Sequence, residues 1–280
     1  MVKSPARRAA VDYLQSTYEV SNRRACVVIH WCRESYAYKS KLNPENEAMR
    51  GRIREIAATR VRYGWRRILV LMRREGYPIG ESRLRRLYAL EGLNLRAKTP
   101  KRRRSAAVRQ ARIEATAPNQ VWSMDFMHDR LVDGSKYRLL NIVDVFTREC
   151  VALRVERAFR SEDVASILRR AIAQRGKPEA IRCDNGTEFT ALAVDQWAYW
   201  NRVTLDFSRP GKPTDNAFVE SFNGRVRQEL LNPSWFGTLG TARRAAAEWR
   251  RDYNEIRPHG SLGNKTPKEF AAMHISAAAS

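Results

Sequence analysis

Three acids in this chain occupy positions that call for a chemical explanation. Asp125 interrupts the apolar run Val121-Trp122-Ser123-Met124-Asp125-Phe126-Met127. Asp184 closes the strand-like run Ala180-Ile181-Arg182-Cys183, just before an Asn185-Gly186 turn signal. A carboxylate within a strand is disfavoured unless it is hydrogen-bonded, paired or bound to a cation. The third acid, Glu220, lies in SRPGKPTDNAFVESFNGRVRQELL (208–231). Pro210, Gly211 and Pro213 make a turn-rich approach, and Thr214, Asp215 or Asn216 can cap a helix starting at Ala217. In that helix Val219, Phe222, Val226 and Leu230 form the apolar stripe, and Asn216, Glu220, Asn223 and Arg227 the polar one. At about 100° per residue, Glu220 and Arg227 differ by roughly 20° and lie about 10 Å apart along the axis. The polar stripe is either an ordinary solvated face or part of a site. Carboxylates gathered from distant segments are ligands for hard cations such as Mg²⁺.

Fifty-eight residues separate Asp125 from Asp184, and 35 separate Asp184 from Glu220. This triad, DNGTEF (184–189) and DNAFVESFNGRVRQEL (215–230) resemble the DDE transposases of bacterial insertion sequences, relatives of retroviral integrases. In that family a basic residue follows the glutamate by seven positions, here Arg227. The tail WRRDYNEIRPHGSLGNKTPKEF (249–270) also resembles the family. The resemblance implies that Asp125, Asp184 and Glu220 are catalytic and hold two Mg²⁺ ions, Mn²⁺ substituting, with Asp125 bridging. It implies cleavage of DNA strands and transfer of their 3′ ends to target DNA, with Asn223 and Arg227 positioning the DNA end. It further implies a homo-oligomer in a synaptic complex. In many such elements a first reading frame supplies a helix-turn-helix and leucine zipper. No heptad run of that kind occurs here, so the chain resembles the second-frame product and a first-frame protein becomes an expected partner.

Composition points to the same class of partner. Net charge is +22, and residues 1–112 hold 28 Lys/Arg against 9 Asp/Glu, while 113–280 hold 24 against 21. A polycationic first third without a Trp/Phe-rich amphipathic face suits nucleic acid better than lipid. No apolar run reaches the roughly 18 residues of a membrane helix, and no signal-peptide core opens the chain, so a cytoplasmic protein, nucleoid-associated on DNA, is expected. Cys26, Cys32, Cys150 and Cys183 have no disulfide or zinc-site spacing, unlike the N-terminal zinc domain of retroviral integrases.

The basic third has helical periodicity. Helices are expected over 5–19, over Asn22–Trp31 behind a Ser21 cap, and over Glu45–Arg62, with a short basic segment Cys32–Lys41 and a break at Asn43-Pro44. Trp65–Arg74 and Ser82–Leu90, joined by Glu75-Gly76-Tyr77-Pro78, form a helix-turn-helix candidate over about 44–93, or else a plain helical hairpin with a basic face. Ile68, Leu69, Met72, Leu84, Leu87 and Tyr88 are its expected core, and Arg83, Arg85 and Arg86 its DNA contacts. The stretch 63–93 also resembles the helix-turn-helix that precedes the catalytic core in the family. Residues 97–118, with the Lys101–Arg104 run, read as a basic linker, either a phosphate-contacting tether or a solubilising hinge. The domains expected are therefore a helical DNA-binding region 1–96, this linker, and an integrase-like core with a helical tail over 119–280.

From Asn119 the pattern changes to strands at the Asp125 segment, Tyr137–Phe146 and Cys150–Glu156, joined by short turns and hence antiparallel. A Ser161-capped helix Glu162–Gln174, the Asp184 strand, a helix near Leu192–Trp200, the strand Val203–Phe207 and the Glu220 helix follow. That order predicts an α/β fold, a mixed β-sheet flanked by helices and similar to the ribonuclease H-like core, preceded by an all-α helix-turn-helix region. Other acids read as caps, turn formers or ion-pair partners: Asp129, Asp133, Asp144, Glu188 and Asp215, with Asp144 the first substitute in the triad. Arg227 has a second reading as a surface ion pair with Glu229 or Glu220, Trp122 reads as packing under the sheet or else stacking on a flipped base, and His259 as structural or DNA-contacting. Two other functions fit the same residues: a structure-selective nuclease of this fold, and a catalytically impaired DNA-binding regulator of its own element.

Overall fold

The computed structural model describes residues 4–38, 44–60, 62–94, 115–208 and 216–278. The expected break at Asn43-Pro44, most of the 97–118 linker with its Lys101–Arg104 run, and Pro210 to Asp215 lie wholly or partly outside them. The chain forms two compact units, residues 1–49 and 50–280.

In the first unit, α1 (Ser4–Tyr18), α2 (Asn22–Val28) and α3 (Arg33–Ala37) enclose Val11, Ala25 and Cys26, with Leu14, Ile29, Trp31 and Tyr36 against them. Ser21 caps α2 as its sequence predicts, accepting from the Arg24 N–H. Helix α2 stops earlier than expected, because His30 turns left-handed at φ 49°. The short basic segment Cys32–Lys41 contains α3, a single short turn of helix too brief to show periodicity.

Helix α4 (Pro44–Thr59) comes next in the chain. Helices α5 (Trp65–Arg74) and α6 (Glu81–Leu90) follow, and all six residues expected in their core are buried. Gly76 takes φ +86° in the turn between them, a conformation that costs a side-chain-bearing residue. Salt bridges join this helical segment to the C-terminal tail, Arg60 to Asp252 and Arg74 to Glu269.

The rest of the second unit is built on five strands: β1 (Val121–Arg130), β2 (Lys136–Asp144), β3 (Cys150–Glu156), β4 (Ala180–Cys183) and β5 (Thr204–Phe207). The sheet order is β3-β2-β1-β4-β5, antiparallel through the first three strands and parallel from β1 to β5. This is the mixed sheet that the pattern predicts. Helices α7 (Ser161–Arg175), α8 (Thr187–Thr190) and α9 (Leu192–Asn201) pack on one side over Trp122, Met124, Leu140, Ile142 and Ile181. Helices α10 (Ala217–Val226) and α11 (Leu239–Glu255) cover Met127, Leu139, Val143, Leu153 and Val155 on the other. Because strand side chains alternate, Asp125 and Asn141 lie on the α10 side. Trp122 is fully buried on the opposite side, its indole N–H donating to Asn119.

Three local expectations change. Ser161 is the first residue of α7, and the Asp163 carboxylate accepts from the Arg160 N–H that precedes it. Asn216 caps no N–H of α10, its side chain being drawn to β1 instead. Helix α10 passes into a π-helical turn over Arg227–Leu231, whose wider winding buries Leu230 and Leu231 together.

That turn is anchored from the tail. Arg257, 2% exposed, donates to both oxygens of Glu229 at 3.0 and 2.6 Å, and its guanidinium lies 5.5 Å from the Tyr253 ring centre. Beyond it come a short 3₁₀ turn (Gly260–Leu262) and α12 (Pro267–Ala278). Removing one partner of a buried ion pair strands the other charge. Arg257→Met is therefore expected to lower unfolding free energy by about 3–5 kcal/mol, and Arg257→Met with Glu229→Leu to recover much of it. Urea unfolding checks both, and a single-variant loss below about 1 kcal/mol would contradict this role for the pair.

Candidate active site

Strand β1 holds the first acid in a fixed pose. Asp125 Oδ1 accepts from the Phe126 N–H at 2.8 Å, and Oδ2 accepts from Asn223 Nδ2 at 2.8 Å. Asn223 Oδ1 in turn accepts from Asn141 Nδ2 at 2.6 Å, and Asn141 is the cross-strand partner of Asp125. Two strands and α10 thus meet at one carboxylate. A second link reinforces the first: Ser123 Oγ donates to Asn216 Oδ1, and Asn216 Nδ2 donates to the Met124 carbonyl at 3.3 Å. Sequence reading passed over Asn141, although an amide within Leu139-Leu140-Asn141-Ile142-Val143 is as conspicuous as Asp125.

The second acid follows β4, which lies beside β1 in parallel. Asp184 is exposed, and its Oδ1 accepts from the Gly186 N–H at 3.0 Å. A Cβ at position 186 would come within 3.0 Å of that oxygen, so glycine allows the turn to close on the carboxylate. The rest of DNGTEF fastens the turn. Glu188 pairs with Arg138, whose guanidinium lies 4.1 Å above the Phe126 ring, and Phe189 stacks on Phe126 at 4.7 Å. Glu188 is thus an ion-pair partner, one of the roles its sequence context suggests.

Glu220 sits in the first turn of α10, exposed and without a hydrogen bond or salt bridge among the described residues. The electrostatics still tie the three acids together. Burial first, with the negative charges of Asp184 and Glu220 adding to it, raises the Asp125 carboxyl to about 6 against the lowering by its hydrogen bonds from Phe126 and Asn223. Among the described residues no three His, Cys, Asp or Glu side chains converge closely enough to hold an ion by themselves. Three like charges repel, and Glu220 extends towards water. The donor set nonetheless suits a hard cation: all three acids offer oxygen, and Asp125 carries negative charge that nothing nearby neutralises.

The remaining sequence candidates separate. Arg227 is exposed and donates to the His128 carbonyl at 3.1 Å, so it pairs with neither Glu229 nor Glu220. Both ends of the Asn223 amide are occupied within the protein. Arg83, Arg85 and Arg86 lie on α6, where Arg85 and Arg86 are exposed and Arg83 half-buried. Asp144 is fully buried and accepts from three backbone N–H groups, of Asn119, Phe146 and Thr147, at 2.8–2.9 Å. It is a turn former, and asparagine there would present an N–H₂ to one of those donors. Asp129 and Asp133 likewise accept from nearby backbone N–H groups.

A model described as integrase core domain matches residues 115–213, and a second of the same description matches 201–267. The 31.7 kDa protein of insertion element IS407 from Burkholderia multivorans is 43% identical, over 95% of this chain and 95% of its own. The chain belongs to the DDE transposases of insertion sequences. The 39.2 kDa protein of insertion element IS476 from Xanthomonas euvesicatoria is 38% identical over 96% of the transposase and 77% of its own length. Among solved structures, the HTLV-2 integrase catalytic core domain in complex with magnesium is similar, with a TM-score of 0.46 and 22% identity over 56% of the transposase and 99% of that core. The transposase cleaves DNA and integrates it, and its core domain is of a metal-dependent kind. No helix among its described residues is long and apolar enough to cross a membrane.

A raised carboxyl pKa has a signed consequence for stability. The folded state binds the Asp125 proton more tightly than the unfolded chain does, so this group stabilises the fold below about pH 4. That contribution is lost as pH rises through about 6. Compared with Asp125→Asn in chelator, the parent should lose about 2–3 kcal/mol of relative stability between pH 4 and 7.5. Denaturant titrations of both proteins across that range measure it; a pH-independent difference would show that Asp125 is not held in this environment.

Proposed function

We propose that Asp125, Asp184 and Glu220 are the catalytic and metal-binding triad with which the transposase cuts DNA at its element's ends and joins the freed 3′ ends to a target. What supports this reading most is Asp125: a carboxylate fixed at both oxygens, partly desolvated, and under the negative field of the other two acids. Two Mg²⁺ ions bound there, or Mn²⁺ in their place, would activate the attacking oxygen and stabilise the departing one on opposite sides of phosphorus.

Each protein group then has a definite task. Asp125, central in the sheet, is the ligand whose direction is set in advance, since Asn223 and the Phe126 N–H leave it little freedom. Asn223 acts as a positioning residue through Asp125, and reaches the DNA end indirectly. Asp184 stands on a turn held closed by Gly186, and Glu220 on the first turn of α10 with its side chain free to reach a bound ion. Arg227, tethered by one N–H to the His128 carbonyl, keeps its other donors for a phosphate of the DNA end. Phosphodiester replaces phosphodiester in the joining step, so the reaction draws on no nucleotide hydrolysis.

We assign residues 1–96 as the DNA-binding region, with α5 and α6 as its helix-turn-helix and Arg83, Arg85 and Arg86 facing DNA, 97–118 as the basic linker, and 119–280 as the core with its tail. A homo-oligomer on paired element ends, bound to the nucleoid and assisted by a first-frame helix-turn-helix protein, completes the proposal.

Two experiments test it. Glu220→Gln should fold like the parent but lose Mg²⁺-dependent cleavage and joining of labelled element ends almost completely; joining at the parent's rate would remove Glu220 from the triad. In the full chain, Arg85→Ala with Arg86→Ala should weaken duplex binding at low salt. The log–log salt dependence should flatten by about 0.9 for each phosphate that the variant no longer neutralises. An unchanged slope would place the DNA elsewhere than on α6.

A further inference from the structure

Helix α10 carries a second polar stripe. Phe218, Ser221 and Arg225 lie roughly 100–180° around the helix from Glu220 and Arg227, with the buried stripe of Val219 and Val226 between on one side. They line a cavity of about 310 Å³ whose other walls include Arg148, Tyr253 and His259. That volume falls at the small end of ligand pockets, about 300–1,000 Å³.

Its chemistry is unbalanced. The Arg148 guanidinium lies 4.1 Å over the Phe218 ring, and the Arg225 side chain bonds, among the described residues, only to the Ser221 carbonyl and hydroxyl of its own helix. Neither arginine has a carboxylate partner among the described residues and no acid lines the cavity; burial first and then Arg225 disfavour the charge on Arg148, against the opposing influence of Tyr253 and Asp144. Phe218, 41% exposed, offers an aromatic surface at the rim. His259 is 5% exposed, and its Nε2 is buried without a hydrogen-bond partner among the described residues. In the neutral tautomer protonated at Nδ1, Nε2 is an acceptor lacking a donor. Burial and the surrounding arginines lower its pKa to about 3, so it stays neutral.

We propose that this cavity receives one unpaired nucleotide of the DNA substrate, its phosphate between Arg148 and Arg225 and its base against Phe218, with a base N–H reaching towards His259 Nε2. Two unpaired guanidiniums fit a phosphodiester, an aromatic ring fits a base face, and a buried acceptor fits the N–H donors on a base edge. A paired base could not enter, because its edge and both faces are already engaged in the duplex. The inference rests on the transposase reading for its DNA but not on the triad.

The test uses the full chain labelled with ¹⁵N at its four histidines. It is titrated without divalent metal by a short oligodeoxycytidine strand, the same strand with an abasic centre, and inorganic phosphate. The intact strand should shift the His259 Nε2 resonance while the other two leave it in place, and Arg148→Gln with Arg225→Gln should weaken binding of the intact strand by about tenfold or more. Asp125→Asn should show the same shift as the parent, so loss of the triad assignment and loss of this one are separately visible. A resonance unmoved at saturating strand, a double variant binding like the parent, or an equal shift by phosphate alone would each overturn the proposal.

Discussion

The side-chain amide of Asn223 is the joint on which the active region depends. It donates to Asp125 and accepts from Asn141, so one residue of α10 fixes the helix to two neighbouring strands through a carboxylate. An amide suits this place because it offers a donor and an acceptor in one rigid plane. A second amide, Asn216, repeats the device at the start of α10 with Ser123 and the Met124 carbonyl. Both lie on the same side of the sheet, where hydrophobic packing of Val219, Phe222 and Val226 supplies adhesion and the amides supply register.

That arrangement holds a carboxylate in a place it does not favour. Asp125 is partly desolvated and faces two like charges, which its two hydrogen bonds only partly offset. Active regions commonly keep such frustration, because a group that needs a cation binds one more strongly than a group already satisfied. The surrounding structure must then supply compensating stability. It does so with two continuous cores, one on each face of the sheet, and with the buried Arg257–Glu229 pair that fastens the tail against the π-helical turn. Tyr253 and His259 meet edge to face at 4.8 Å beside that pair, which gives His259 the structural role that was one of its two sequence readings.

Helix α10 links these parts. One stripe presents Glu220 and Arg227, a second is buried, and a third lines the basic cavity. A movement of the helix would be felt on both polar stripes, because the buried stripe between them is close-packed and transmits displacement.

The periodicities were enough to read the order of the core strands and main helices, a mixed sheet with antiparallel first strands, and the cores of α5 and α6, while the grouping of Asp125, Asp184 and Glu220 came from the resemblance to the transposases. These are local or pairwise properties: a period of two or 3.6, a glycine in a turn, a count of intervening residues. Helix ends were read less well, as at Ser161 and His30, because caps depend on where one side chain happens to reach. What only the tertiary structure decided is which polar groups meet. Asn141, 82 residues from Asn223, and Glu229, 28 from Arg257, carry no mark of their partners in the sequence. Asp125 and Asp144 both look like strand acids, yet one faces two other carboxylates and the other three backbone N–H groups. The difference lies in what the fold brings to each carboxylate, and hydrogen bonds between distant segments leave no periodic trace along the chain.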